Sequence, residues 1–265
     1  MSRIESTIKN EIANGRKVLS VFLTAGFPSV KGFTDLVLKT FDAGADMIEI
    51  GIPFSDPIAD GPVIQYSSHS ALEQGVNIEK VLQIVSEIRN HSDKPIILMG
   101  YANPILNFGL SSFFSTCNEV KVDGLIIPDI PLEEYDSFFD STVKDIDTIM
   151  LVSPTSEHRR IKMIGEKSKG FVYCVSVKGI TGERNSVSQE SINYIRRVKS
   201  ILPDKKILVG FGVSSPEIAS KFASISDGVI VGSAVIKLLT ENKQAEMIDL
   251  VRGTKNKLII KKLIG

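Results

Sequence analysis

Cysteine is scarce here, with only Cys117 and Cys174 in 265 residues, far apart and without a CxxC spacing. That scarcity excludes a disulfide framework or a zinc knuckle and leaves two buried free thiols as the expectation. Long apolar runs are missing as well. No window approaches the roughly 18 apolar residues of a membrane span, and the opening MSRIESTIKNEI has no signal-peptide core, so a cytoplasmic protein is expected. Net charge is also absent. Lys+Arg and Asp+Glu stand equal at 31 each, which removes the basic field that nucleic acid requires. The histidines His69, His91 and His158 form no HExxH or other ligand spacing, and GxxxxGK[ST] does not occur. Neither a metal centre nor a P-loop is expected.

What is present is an ordinary globular composition, 43% hydrophobic and 23% charged, arranged in a regular beat. Eight short runs rich in β-branched residues recur: VLSVFLT from Val18, MIEI from Met47, PIILMGY from Pro95, GLIIP from Gly124, TIMLVS from Thr148, FVYCVS from Phe171, KILVG from Lys206 and GVIVG from Gly228. Helical periodicity fills residues 32–43, 78–90, 133–142, 156–167, 189–200 and 216–222 between them. Continuously apolar strands alternating with helices describe a parallel sheet buried on both faces. Eight such units predict an α/β fold, the (β/α)₈ TIM barrel, in preference to an open doubly wound sheet. No linker or change of composition divides the chain, so residues 1–265 are read as one domain. An extra helix at the N-terminus is marked by a capping box, Ser2 with Glu5, and by Ile4, Ile8 and Ile12.

In such a barrel the C-terminal ends of the strands carry the chemistry. The second strand holds a carboxylate, Glu49, in MIEI, with no Lys or Arg beside it in sequence. An unpaired buried acid keeps its proton, as a general acid must; a structural ion pair is the alternative. The segment beyond it, residues 52–66, reads as an overlong loop stiffened by Pro53, Pro57 and Pro62, presenting Asp56 and Asp60. Two carboxylates at one mouth divide labour between moving protons and stabilising positive charge, unless Asp60-Gly61 is only a turn. A second overlong loop, 177–189, follows the sixth strand, while GFGVSSPE and GSAVIK follow the seventh and eighth. Glycines at helix starts bind phosphate, although one Gly-x-Gly serves tight packing as readily.

These motifs together, FLTAGFP, ADMIEIGIPFSDPIADGPVIQ, YANPI, PDIPLEE, GITGER, GFGVSSPE and GSA, resemble the tryptophan synthase α subunit family, in order and over nearly the whole chain. The resemblance implies retro-aldol cleavage of indole-3-glycerol phosphate to indole and glyceraldehyde 3-phosphate. It implies Glu49 as the acid/base and Asp60 as the carboxylate on the indole N–H. Phe22, Ile64, Tyr101, Tyr173 and Phe211 match the indole site, Thr181 the lid residue that meets Asp60. Gly182, Gly212, Gly232 and Ser233 match the phosphate site. It further implies no metal and no cofactor in this chain. The expected partner is a pyridoxal-phosphate β subunit in an α2β2 complex, meeting the chain near Pro53, Asp56 and Pro57. A phosphosugar isomerase on the same barrel, and an activating subunit without catalysis, are the competing readings. The basic end KNKLIIKKLIG is expected to form a closing helix on the barrel.

Overall fold

The run Val18–Thr24 forms β1, and all seven of its residues are buried. A strand covered on both faces belongs inside a layer of helices. The computed structural model describes residues 1–139, 143, 145–175, 187–210 and 212–260. Within them β1 is followed by β2 (Met47–Gly51), β3 (Ile96–Met99), β4 (Gly124–Ile126), β5 (Asp147–Thr148), β6 (Leu151–Val152), β7 (Val172–Val175), β8 (Ile207–Gly210) and β9 (Gly228–Val231). Every pairing is parallel, in the order β5-β4-β3-β2-β1-β9-β8-β7-β6.

The predicted fifth strand is divided. Its first half, β5, pairs with β4 and its second, β6, pairs with β7. Between them the Ile149 N–H donates to Leu125 O at 2.9 Å and Met150 O accepts from Tyr173 N–H at 3.0 Å. One continuous segment therefore changes partners midway and closes the barrel.

Helices wrap the ring: α1 (Arg3–Ala13), α2 (Phe33–Asp42), α3 (Pro62–Glu73), α4 (Ile78–Arg89), α5 (Ala102–Phe108), α6 (Leu110–Glu119), α7 (Tyr135–Phe138), α8 (His158–Lys167), α9 (Gln189–Ile201), α10 (Pro216–Ala223), α11 (Ser233–Thr240) and α12 (Gln244–Lys257). The capping box forms as expected, and Ile4 and Ile8 of α1 are fully buried. A Cβ on Gly124 or Gly170 would meet Ile4, so α1 plugs the N-terminal end of the barrel.

Three expected elements differ. The loop after β2 is shorter than 52–66, because Pro62 is the first residue of α3 after the N-cap Gly61, a position where a missing N–H costs nothing. The helix expected over 133–142 is reduced to a 3₁₀ turn, Leu132–Glu134, and the single turn of α7. Phe139 leaves helical geometry there while packing on Phe114 and Tyr135; residues 140–142 are outside the described ones. The closing helix is α12, which ends before most of the basic segment. Leu258 is buried and accepts from Lys17 N–H at 2.8 Å, and Ile260 N–H donates to Gly15 O at 2.7 Å, so the chain there forms an antiparallel bridge between Ile259 and Arg16.

Carboxylates brace the N-terminal end. Asp46, before β2, accepts from Leu19 N–H of β1 at 2.8 Å; Asp123, before β4, from Ile96 N–H of β3 at 2.7 Å; Asp227, before β9, from Ile207 N–H of β8 at 2.9 Å. Each carboxylate has a cation: Lys255 at 2.6 Å from Asp46, Arg89 against Asp123, and Lys199 at 2.6 Å from Asp227. Paired charge is thus kept at the floor, while the strands above are mostly apolar, with Glu49 the carboxylate among them.

Candidate active site

Register decides which side chains enter the barrel. Phe22 lies opposite Glu49, and Glu49 opposite Ile97. Residues of the same parity share a face, so Ser20, Phe22, Glu49, Gly51 and Met99 all point inward. Tyr173 on β7 is inward as well, since a Cβ on Gly210 would lie 2.0 Å from its hydroxyl. Gly51 stands to Phe22 as Gly210 does to Tyr173: an added Cβ would sit 2.5 Å from the Phe22 ring. Two strand glycines therefore vacate the space that two aromatic rings occupy.

Glu49 is wholly buried. Its Oε1 accepts from Ser20 Oγ at 2.8 Å, and its Oε2 has no partner among the described residues. No Lys or Arg pairs with it there, so the ion-pair alternative fails for the described residues. Burial pushes its carboxyl up to about 8, against which the Ser20 hydroxyl acts weakly. Ser20 was not legible as functional, although a hydroxyl two residues before Phe22 in an apolar strand was the available signal.

Asp60 sits above, partly exposed. Its Oδ2 accepts from Tyr101 Oη at 2.9 Å, and the same phenol oxygen accepts from Ala59 N–H at 3.1 Å. Burial raises the Asp60 carboxyl and the Tyr101 bond opposes it. Tyr101 is itself held: its ring lies 5.4 Å from Phe54, and the Asp129 carboxylate accepts from the next N–H, Ala102, at 3.0 Å. Ser68 clasps Phe54 through both backbone groups, at 2.8 Å and 2.9 Å. The stiff loop is therefore anchored to α3 at Phe54 and to α5 at Ala59.

Phe22, Asp60, Ile64 and Tyr101 line one cleft together with Ile52, Met99 and Gly100. Gly100 is small because Ile52 leans on it, 3.0 Å from where its Cβ would be. The cleft's free volume is only about 10 Å³, too little for a ring-sized ligand unless its walls move. A larger cavity of about 370 Å³ lies between Ile127–Leu132, β6 and α8. It contains none of the predicted site residues, and chemistry rather than size identifies the smaller cleft.

On the neighbouring rim β8 and β9 pair, which brings their loops together. Gly212 is exposed with φ +80, a left-handed conformation that favours glycine. Gly232 is the N-cap of α11 and Ser233 its exposed first residue, so free helix amides face outward beside a hydroxyl. Ser215 caps α10 through Ile218 N–H at 3.3 Å, with Pro216 at the first position. A Cβ on Gly232 would come within 3.3 Å of Phe22, which ties this rim to the aromatic cleft. Thr181, Gly182 and Phe211 lie outside the described residues. Of the residues expected at a partner contact, Pro53 and Pro57 are buried in the loop while Asp56 is exposed; Ile58 beside it is 83% exposed and was not anticipated.

Among the described residues no helix is long and apolar enough to cross a membrane, and no group of three or more His, Cys, Asp or Glu could hold a metal ion.

The family model for the tryptophan synthase alpha chain matches residues 8–263. The tryptophan synthase alpha chain of Thermoanaerobacter pseudethanolicus is 43% identical over 255 residues, covering 96% of this chain and 97% of that one. That of Caldanaerobacter subterraneus subsp. tengcongensis is 44% identical over 254 residues, 95% and 96% of the two chains. The solved structure of tryptophan synthase subunit alpha from Legionella pneumophila superposes with a TM-score of 0.88 at 33% identity, covering 97% and 98%. A chain of tryptophan synthase from M. tuberculosis gives 0.87 at 31%, covering 97% and 100%. With a barrel of matching topology and a match along nearly its whole length, this chain belongs to the tryptophan synthase α-chain family.

Proposed function

We propose that Glu49 and Asp60 divide the cleavage of indole-3-glycerol phosphate, the carbon–carbon lyase reaction of this family, between them. One observation supports the assignment: Glu49 is a fully buried carboxyl with an unpaired oxygen among the described residues, opposite Phe22 of the cleft that Asp60 also lines. The acid donates its proton to the ring carbon bearing the side chain. Asp60 accepts from the indole N–H and stabilises the cation so formed. Glu49, now a carboxylate, takes the side-chain hydroxyl proton; the carbon–carbon electron pair returns to the ring, releasing indole and the aldehyde. General acid catalysis supplies about 10²- to 10⁴-fold, and orientation and charge stabilisation the remainder.

We assign Phe22, Ile64, Tyr101, Tyr173 and, from the family resemblance, Phe211 to the site of the ring, and Thr181 to the lid residue that meets Asp60. Gly182, Gly212, Gly232 and Ser233 take the phosphate, whose grip on a remote group positions the reacting carbon. Family membership implies a β-subunit partner. We assign its contact to Asp56 and the exposed Ile58 on a loop shaped by Pro53 and Pro57, its cofactor to pyridoxal phosphate held by the partner, and the assembly to α2β2. One apolar core running from Ile4 to Leu258 supports a single domain over 1–265. Two buried free thiols, Cys117 and Cys174, support a cytoplasmic setting.

The test is release of indole from indole-3-glycerol phosphate, with and without a β subunit, for wild type, Glu49→Gln, Asp60→Asn and Asp56→Ala. Glu49→Gln and Asp60→Asn should abolish most turnover while the chain stays folded; wild-type turnover in either sinks that residue's role. Asp56→Ala should weaken complex formation and activation, and an unaltered complex removes Asp56 from the contact.

A further inference from the structure

We propose that Ser20 is a positioning residue for Glu49: its hydroxyl pins one carboxyl oxygen, Oε1, and leaves Oε2 as the oxygen that exchanges the proton with substrate. The inference rests on the reading of Glu49 as the acid and adds to it the group that orients that acid.

Geometry argues for it. Ser20 is fully buried on β1 and shares the inward face with Phe22, the register partner of Glu49. It stands two residues nearer the barrel floor, about 7 Å along the strand, so its hydroxyl meets the carboxyl from the floor side. The register partners of Ser20 itself, Met47 and Ile230, are apolar. The hydroxyl and the carboxyl therefore meet in surroundings that offer little else polar, at 2.8 Å. With Oε1 taken, the orphan oxygen is Oε2, buried and free of any partner among the described residues.

The groups facing Glu49 bear on its proton in a known sense. Phe22 on β1 and Ile97 on β3 are apolar and only desolvate it. Tyr173 on β7 and Asp60 above are the titratable groups of this interior, and their negative forms oppose a second charge. Ser20 alone among these favours the ionised carboxylate, by donating a hydrogen bond to it. That matters at the midpoint of the reaction. The proton leaves Oε2 for the ring carbon, the carboxylate is then charged in a closed apolar space, and Ser20 stabilises it until the substrate hydroxyl returns a proton.

The experiment follows the Glu49 carboxyl directly. Glutamate labelled with ¹³C at the side-chain carboxyl is titrated by NMR in the ligand-free protein for wild type, Ser20→Ala and Ser20→Thr, with Glu49→Gln identifying the resonance. Ser20→Ala should raise the midpoint by roughly one pH unit and carry the alkaline limb of the kcat profile with it, and Ser20→Thr, which keeps a hydroxyl, should restore both. A side chain that merely fills space would lower stability without moving either. A folded Ser20→Ala protein with an unmoved midpoint, alongside an inactive Glu49→Gln, overturns the role of Ser20 and leaves the acid in place. Turnover surviving in Glu49→Gln overturns both.

Discussion

Tyr101 donates its phenol proton to Asp60 at 2.9 Å while accepting from the Ala59 backbone at 3.1 Å, so one hydroxyl holds both the carboxylate and the loop that carries it. Although expected only as a wall of the ring pocket, Tyr101 is also placed to aim Asp60. Its ring lines the cleft while its oxygen bonds the carboxylate.

Removing that oxygen separates the two. In Tyr101→Phe the ring contact with Phe54 persists, and Asp60 loses a hydrogen bond worth about 1.5–3 kcal/mol to a charged group. The proposed role of Asp60 requires it ionised, and its carboxyl is already raised by burial, so loss of the bond raises it further. The acid limb of kcat/KM should move to higher pH, with kcat/KM at neutral pH falling about tenfold or more. An unshifted limb in the pH profile would leave Tyr101 as a wall only.

Glu49 predicts a trade between activity and stability. Its carboxyl rises from 4.5 to about 8 on folding, so its contribution is complete below pH 4.5 and is lost as pH climbs toward 8, where the unfolded chain ionises and the folded one resists. Gln cannot ionise. Glu49→Gln should therefore unfold at higher denaturant than wild type at pH 8 to 9, by a few kcal/mol, with the gap closing toward pH 5. Its kcat should fall by about 10² or more.

Gly210 tests the vacated space. A methyl group there would stand 2.0 Å from the Tyr173 hydroxyl, and the strand behind it is paired on both edges, so the ring must yield. Gly210→Ala should keep the fold at a cost of about 1–3 kcal/mol and lose roughly tenfold to a hundredfold in kcat/KM. Steady-state kinetics and thermal unfolding measure the two effects.

At the other end of the barrel Lys255 bridges Glu11 and Asp46, each at 2.6 Å and all three largely buried. Lys255→Met fills the same space but takes from Asp46 its cation and leaves Glu11 with Arg16 alone, at 3.0 Å. Stability should drop by about 3–5 kcal/mol in denaturant titrations near neutral pH. Lowering the pH should recover part of it as the acids take up protons.

The sequence carried some features more clearly than others. Helix α4, IEKVLQIVSEIR, keeps its apolar residues on one stripe, and that periodicity marks its ends to within a residue. Helix α3, PVIQYSSHSALE, is not so marked, because Ser67 and Ser68 occupy buried positions and break the stripe. Their hydroxyls serve Thr24, at 2.6 Å, and the Phe54 backbone, partners far from them in sequence. The helix is stabilised by contacts that its own periodicity does not display.

Eight apolar runs, alternating helices, an isolated acid in the second run and glycine-rich turns after the last two are local patterns. Side-chain period and backbone freedom at neighbouring residues produce them, so the sequence alone determined the barrel class and the two carboxylates. Tertiary structure decided the rest: the division of the fifth strand, the hydrogen bond from Ser20 to Glu49 across 29 residues, and that from Tyr101 to Asp60 across 41. Such pairings arise from strand register and closure of the ring, which bring distant residues within hydrogen-bond reach.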